Sequence, residues 1–244
     1  MPDPNDRQAT RRTLLRLVGT GTAAAGLSAC SPGGEGAAPD ATGGGSGAPA
    51  APDAAPGATP TCVLTPEGTE GPYYLDLDLV RADIAEGRPG VPLRLTTTVV
   101  DAEACTPIPG AEVDIWHADA TGVYSGMSSE GTEGERFLRG VQIADEEGAV
   151  EFETVYPGWY DRRTNHIHVK VHVDGDVVHT GQLYFADEVN ADVAATAPYA
   201  GRGAQETTND SDMFASSIGP ESTLDVTGSA EEGYTAAIVL GIRP

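Results

Sequence analysis

The stretch "HIHVKVHVDGDVVHTGQLYF", residues 166–185, places two runs of β-branched residues on either side of Asp174-Gly175-Asp176. A polar, Gly-bearing break between two such runs is the pattern of a β-hairpin. In the first run Ile167, Val169, Val171 and Val173 share one face. His166, His168, Lys170 and His172 share the other, because side chains alternate across a strand. Residues two apart on a strand lie roughly 6.6 Å apart, so two imidazoles can converge on one ion. The same alternation also describes the solvated face of an exposed strand.

Outward from the hairpin, short β-branched runs recur between Gly, Pro and Asp breaks. They predict strands at 91–101, 111–118, 137–145, 149–155, 166–174, 177–187 and 234–242, with turns at "IPGA", "DEEGA", "YPGW" and "VDGD". No long stretch has helical period, so the expected fold class is all-β, a β-sandwich with long irregular loops. Residues 188–222 form the longest irregular segment, and loops of that length in compact domains are usually functional or disordered.

Residues 61–244 are the expected β-sandwich domain. Before them, residues 31–60 lack aromatic and large aliphatic side chains and read as a flexible Gly/Ala/Pro linker spanning roughly 30 Å. Residues 1–30 resemble a twin-arginine export signal. Arg11 and Arg12 precede a mildly apolar run, too short and too rich in Gly and Ala to span a bilayer, that ends in a lipobox at Leu27-Ser28-Ala29-Cys30. The expectation is an exported lipoprotein, anchored to the outer face of the cell membrane through lipid on Cys30 alone. In an oxidising compartment the remaining cysteines, Cys62 and Cys105, would form a disulfide, the alternative being two buried thiols.

The chain carries a formal charge of −23 and a single lysine, Lys170. Nucleic-acid phosphates need a basic patch, so nucleic acid is excluded as a partner, and anionic substrates are mildly disfavoured.

His166 and His168 alone fit several metals. A zinc site would need a third His, Glu or Asp, and a non-haem Fe(II) site a carboxylate. Neither explains the tyrosines at neighbouring strand ends, Tyr124 in "ATGVYSG" and Tyr160 in "PGWY". Phenolate is a hard donor, and a trivalent iron holds it ionised far below its usual pKa of about 10.

With those tyrosines the chain resembles the intradiol ring-cleaving dioxygenases, the ferric catechol and protocatechuate enzymes. The resemblance rests on "TPEGTEGPYYLD", "PIPGAEVDIWHADATGVYSG", "FLRGVQIADEEGAVEFETVYPGWY", "RTNHIH" and "TGQLYFAD", all between residues 62 and 190. It implies one Fe(III) per chain, held by Tyr124, Tyr160, His166 and His168, with Tyr160 the ligand that leaves and acts as base. It implies that Arg163 and Gln182 stabilise developing negative charge. The substrates would be a small aromatic diol and O2, and the product a cis,cis-muconate-type diacid. Two departures stand out. Only five residues separate Tyr160 from His166, and the long helical segment through which many catechol enzymes dimerise is absent, so their oligomeric state does not transfer.

Each candidate also has a plainer reading. Tyr124 and Tyr160 could be turn-packing aromatics, Tyr156 competes with Tyr160, and Arg162 competes with Arg163. His117 reads as a hydrogen-bonded core histidine, and His172 and His179 as structural or solvated. Tyr73 and Tyr74 could wall a substrate pocket or simply pack, and Glu67 and Glu70 read as a solvated face. At the level of function, the alternatives are a non-enzymatic β-sandwich binding lipoprotein and a zinc hydrolase built on His166, His168 and a carboxylate.

Overall fold

The computed structural model describes residues 62–244. The expected export signal 1–30, the lipid-bearing Cys30 and the linker 31–60 lie outside the described residues. No helix among the described residues is long and apolar enough to cross a membrane.

Eight strands build two four-stranded sheets. They are β1 (Pro92–Asp101), β2 (Glu112–Trp116), β3 (Arg139–Ile143), β4 (Ala149–Val155), β5 (His166–Val173), β6 (Asp176–Tyr184), β7 (Asp225–Ser229) and β8 (Gly233–Ile242). One sheet has the order β4-β1-β8-β7 and the other β3-β2-β5-β6. All pairings are antiparallel except β1 with β8, which run parallel from Leu93↔Tyr234 to Asp101↔Ile242. The core lies between the sheets. Leu93, Leu95, Phe152, Ala236 and Leu240 from one meet Val113, Ile115, Ile167, Val169, Val171 and Leu183 from the other.

The β5–β6 hairpin closes in two residues rather than three, since Val173 pairs with Asp176. Asp174 (φ 53°) and Gly175 (φ 89°) both take positive φ, as a type I′ turn requires, so Asp176 joins the strand. A register shift opposite Val171/His172 leaves Val178 of β6 as the extra residue, while the pairing of β5 with β2 runs on unbroken to Glu112↔His172.

Two expectations are corrected. The segment 188–222 is not wholly irregular: helix α1 (Asp187–Ala194), a 3-10 turn at Tyr199–Arg202 and a helical turn at Ala215–Ile218 occupy it. Strand β7 was also not anticipated, because "DVTGS" has a glycine and none of its residues is fully buried. It is held as an edge strand by its pairing with β8.

The solvated reading of the polar β5 face fails as well. His166, His168 and Lys170 are at most 5% exposed. Residues 64–84 form a strap over that face, tied to its sheet by Gly68 N donating to Thr180 O (2.9 Å) and by the bridge Val80↔Val141, and beyond it to β4 of the other sheet by Asp83↔Glu153. The protein therefore has two buried layers, one apolar between the sheets and one polar beneath this strap. The structure joins Cys62 at the start of the strap to Cys105 beyond β1 by a disulfide, with Cα atoms 5.5 Å apart.

Candidate metal centre

Four side chains from three places in the chain meet over the β2–β5–β6 face. His166 and His168 come from adjacent same-face positions of β5, with ring centroids 4.9 Å apart. Tyr124 follows β2 on a turn organised by Asp119, whose Oδ1 accepts from Thr121 N (2.8 Å), Thr121 Oγ1 (2.7 Å) and Val123 N (3.1 Å). Tyr160 sits on the loop entering β5, which Asn165 Nδ2 closes by donating to Pro157 O at 2.6 Å. The Tyr124 and Tyr160 rings meet edge-on at 5.5 Å. Tyr160 lies 5.4 Å from the His166 ring, and Tyr124 lies 6.1 Å from His168.

The polar atoms of this group are poorly satisfied for their burial. His166 Nδ1 bonds Thr164 O at 2.7 Å, which places the proton on Nδ1 and leaves Nε2 as a lone pair beside Tyr160 Oη at 3.1 Å. His168 is 1% exposed, yet neither ring nitrogen has a hydrogen-bond partner; Tyr124 Oη, equally buried, has none either. Leaving such groups unpaired costs about 1–3 kcal/mol each, so native structures rarely keep them without a ligand. Burial, then the Arg163 charge, lowers the His166 pKa to about 3. Burial, then the neighbouring His166, holds His168 well below its ordinary value. Both imidazoles are neutral at pH 7, as metal ligands must be. Burial, then the Tyr160 phenol, pushes Tyr124 well above 10, so without a cation the phenol stays protonated.

The residues present fit a metal ion of hard character. Two neutral imidazole nitrogens and two ionisable phenols converge, and two phenolates would offset most of a trivalent charge in a buried site. Among the described residues, no group of three or more His, Cys, Asp or Glu is arranged to hold a metal. The carboxylate that a zinc hydrolase would require does not accompany these histidines.

Arg163 and Gln182 stand beside the four. Arg163 Nη1 reaches Tyr160 Oη at 3.4 Å, and Nη2 donates to Gln182 Oε1. Gln182 is oriented by donating to Thr69 O (2.9 Å) and accepting from Tyr184 Oη (2.9 Å). The competitor Arg162 is exposed and does not enter the site. Tyr156 is core, its hydroxyl donating to Asn190 Oδ1 at 2.7 Å. His117 is the hydrogen-bonded core residue expected, between Ala118 O (2.9 Å) and Thr154 Oγ1 (2.8 Å). Glu70 is not simply solvated: it pairs with Lys170, whose ammonium also lies 3.5 Å from the Tyr74 ring centroid. Tyr73 stacks on Tyr124 at 4.3 Å and Tyr74 packs on Trp116, so both cover the site. Beneath Tyr74, burial raises the Asp114 pKa to about 7 against a hydrogen bond from Tyr74 and the charge of Lys170.

Sequence reasoning missed Asp212. It is fully buried, accepts from Arg163 Nε (2.8 Å) and Thr164 N (2.8 Å), and so fixes the guanidinium. Nothing in "NDSD" marks that role, which exists only once the long segment folds back on the loop before β5.

A family model described as Dioxygenase matches residues 69–226. Catechol 1,2-dioxygenase from Acinetobacter baylyi is 30% identical over 147 residues, 51% of this chain and 47% of that protein. The chain thus spans about half the length of the curated relatives it matches. Among solved structures, an intradiol ring-cleavage dioxygenase from Tetranychus urticae is similar at 35% identity with a TM-score of 0.71. That similarity covers 75% of this chain and 96% of the other. The dioxygenase domain of a dioxygenase carbohydrate-binding protein fusion from Streptomyces sp. SirexAA-E is similar at 30% identity, TM-score 0.56, over 74% and 99%. The family match takes in both tyrosine turns and both strand histidines, and this chain belongs to the intradiol ring-cleavage dioxygenase family.

Proposed function

We propose that this protein is an Fe(III)-dependent intradiol dioxygenase acting on a catechol-type diol and O2, with iron held by Tyr124, Tyr160, His166 and His168. The observation that carries the reading is the convergence of two phenols and two neutral imidazoles, with His168 and Tyr124 Oη buried and unpartnered. Bound there, a ferric ion would act as Lewis acid and template, drawing electron density from an ionised catechol so that O2 opens the ring between the hydroxyl-bearing carbons to a cis,cis-muconate-type diacid.

Tyr160 is the base. Its oxygen lies between His166 Nε2 and Arg163 Nη1, so a proton arriving from the diol meets an oxygen already held by two partners. Burial holds the Tyr160 pKa above its ordinary value, against the opposing effects of Tyr124 and Arg163. A phenolate released at this position therefore takes up a proton readily. Arg163 and Gln182 form a preset cationic and amide edge for negative charge developing on the ring or on oxygen. Asp212 pairs with Arg163 and holds it in place, while the strongly negative chain as a whole favours uncharged rings over carboxylated ones.

Purified protein loaded with iron should be red to burgundy and contain one iron per chain. It should consume O2 with catechol, and Tyr160→Phe should weaken band and turnover together, the latter about 10²- to 10⁴-fold. Colourless protein in the presence of excess iron would reject the reading. The same proposal includes export and anchoring through Cys30, consistent with a disulfide at Cys62–Cys105. Cys30→Ala should move the protein out of the membrane fraction.

A further inference from the structure

Residues 199–212 run behind both tyrosine turns and contact each of them. Tyr199, fully buried, donates its hydroxyl to Tyr156 O at 2.6 Å, at the start of the loop that carries Tyr160. Three residues later Arg202 donates from Nη1 to Ala120 O at 3.2 Å and from Nη2 to Trp159 O at 2.5 Å. Its guanidinium also lies over the Trp159 ring, 4.3 Å from the centroid. Ala120 belongs to the Asp119 turn that leads into Tyr124, and Trp159 adjoins Tyr160. One side chain therefore bonds the backbone of both turns.

The turns also press on each other directly. Gly158 N donates to Asp119 O at 3.1 Å, and a Cβ at Gly158 would stand 2.4 Å from that oxygen. A Cβ at Gly122, where φ is +86°, would stand 2.4 Å from Trp159 O and 2.8 Å from Arg202 Nη2. Only glycine admits backbones this close, so the approach is built into both turns. Where two carbonyls must be held at a set separation, a planar fork of donors suits better than a flexible ammonium.

We propose that Arg202 is a positioning residue that fixes the spacing of Tyr124 and Tyr160 by clamping the carbonyls of their two turns. It touches neither phenol. Its consequence for chemistry rests on the ferric reading above, whereas the clamp itself does not. Under that reading Tyr160 would leave and return to one position while Tyr124 stays in place. Arg202 supplies the fixed frame by anchoring the residue next to the mobile phenol to the turn that carries the stationary one.

The test uses Arg202→Met and Arg202→Lys in the full chain. In metal-free protein, Arg202→Met should speed amide exchange at Gly122 and Gly158 at least about tenfold, because both amides bond Asp119 O within the clamped pair of turns. Exchange along Ile167–Val171 should stay unchanged. In the iron-loaded protein the visible band should shift, and kcat should fall about 10- to 100-fold with KM for catechol nearly unchanged. Arg202→Lys keeps charge and bulk but can reach only one carbonyl well, and should fall between wild type and Arg202→Met. Unchanged exchange at the two glycines, or acceleration throughout β5 in proportion to lost stability, would overturn the clamp. Fast local exchange with an unmoved band and kcat would overturn its positioning role. If the wild type bound no iron, the ferric reading would fail while the exchange data still decided the clamp.

Discussion

The two faces of β5 are both buried, and they are built on opposite principles. Ile167, Val169 and Val171 enter a core built mainly of aliphatic and aromatic side chains. One residue away, His166, His168 and Lys170 enter a layer of rings, charges and polar atoms, some without partners. The first face gains its free energy from contacts already made. The second leaves bonding capacity unused, and that capacity is what a ligand can take up. Burial alone does not separate the two layers; satisfaction of the buried atoms does.

That contrast breaks most sharply at two adjacent residues. Ile167→Ala should cost about 2–5 kcal/mol of stability, measured as a loss of urea midpoint, and leave turnover per folded molecule nearly intact. His168→Leu should leave the stability of the metal-free protein level or raise it, since two unpaired nitrogens are replaced by hydrocarbon, while iron content and O2 uptake disappear. If both variants lost stability equally, the distinction between the layers would be wrong. Next in size is the disulfide. Replacing Cys62 and Cys105 with Ala opens a loop closed across 43 residues and should cost about 2–4 kcal/mol, read from the same midpoints without reductant. Its effect should fall on the strap, with faster exchange at Thr65 and Gly68, before it reaches the sandwich.

The smallest effect concerns pH. Asp114, with a pKa of about 7 in the fold, keeps a proton that the unfolded chain releases at its ordinary value of 3.8. Its contribution to stability therefore falls as pH rises from about 4 to 7. His117, lowered to about 4 chiefly by burial, stays neutral in the fold while the unfolded chain protonates below about 6.5. Its contribution falls as pH drops through the same window. The two slopes oppose each other. Asp114→Asn removes one of them, so metal-free protein should lose stability on acidification from pH 7 to 5 more steeply than wild type, by up to about 1.4 kcal/mol per pH unit. Parallel pH curves for the two proteins would remove Asp114 from the account.

Much of this was legible in sequence because strands announce themselves by alternation. Each of the seven expected strands has its counterpart, and the motif residues Tyr124, Tyr160, His166, His168, Arg163 and Gln182 do converge. What was not legible depends on the chain returning from far away. Helix α1, "DEVNADVA", buries only Asn190 and Val193, too narrow a stripe to show helical period. Asp212 and Arg202 act through contacts 49 and 43 residues distant, and no local pattern encodes such a partner. The burial of the polar β5 face was equally hidden, since it depends on a strap whose own sequence reads as surface loop.

The parallel pairing of β1 with β8 also bears on the timing of synthesis. Gly233 leaves the ribosome 132 residues after Asp101, on the order of ten seconds later at ordinary elongation rates. Until then β1 has β4 on one side and an open hydrogen-bonding edge on the other, where the nascent chain is exposed to aggregation. The sheet is completed when β8 fills that gap, so β1 waits for a strand made long after its other neighbour β4.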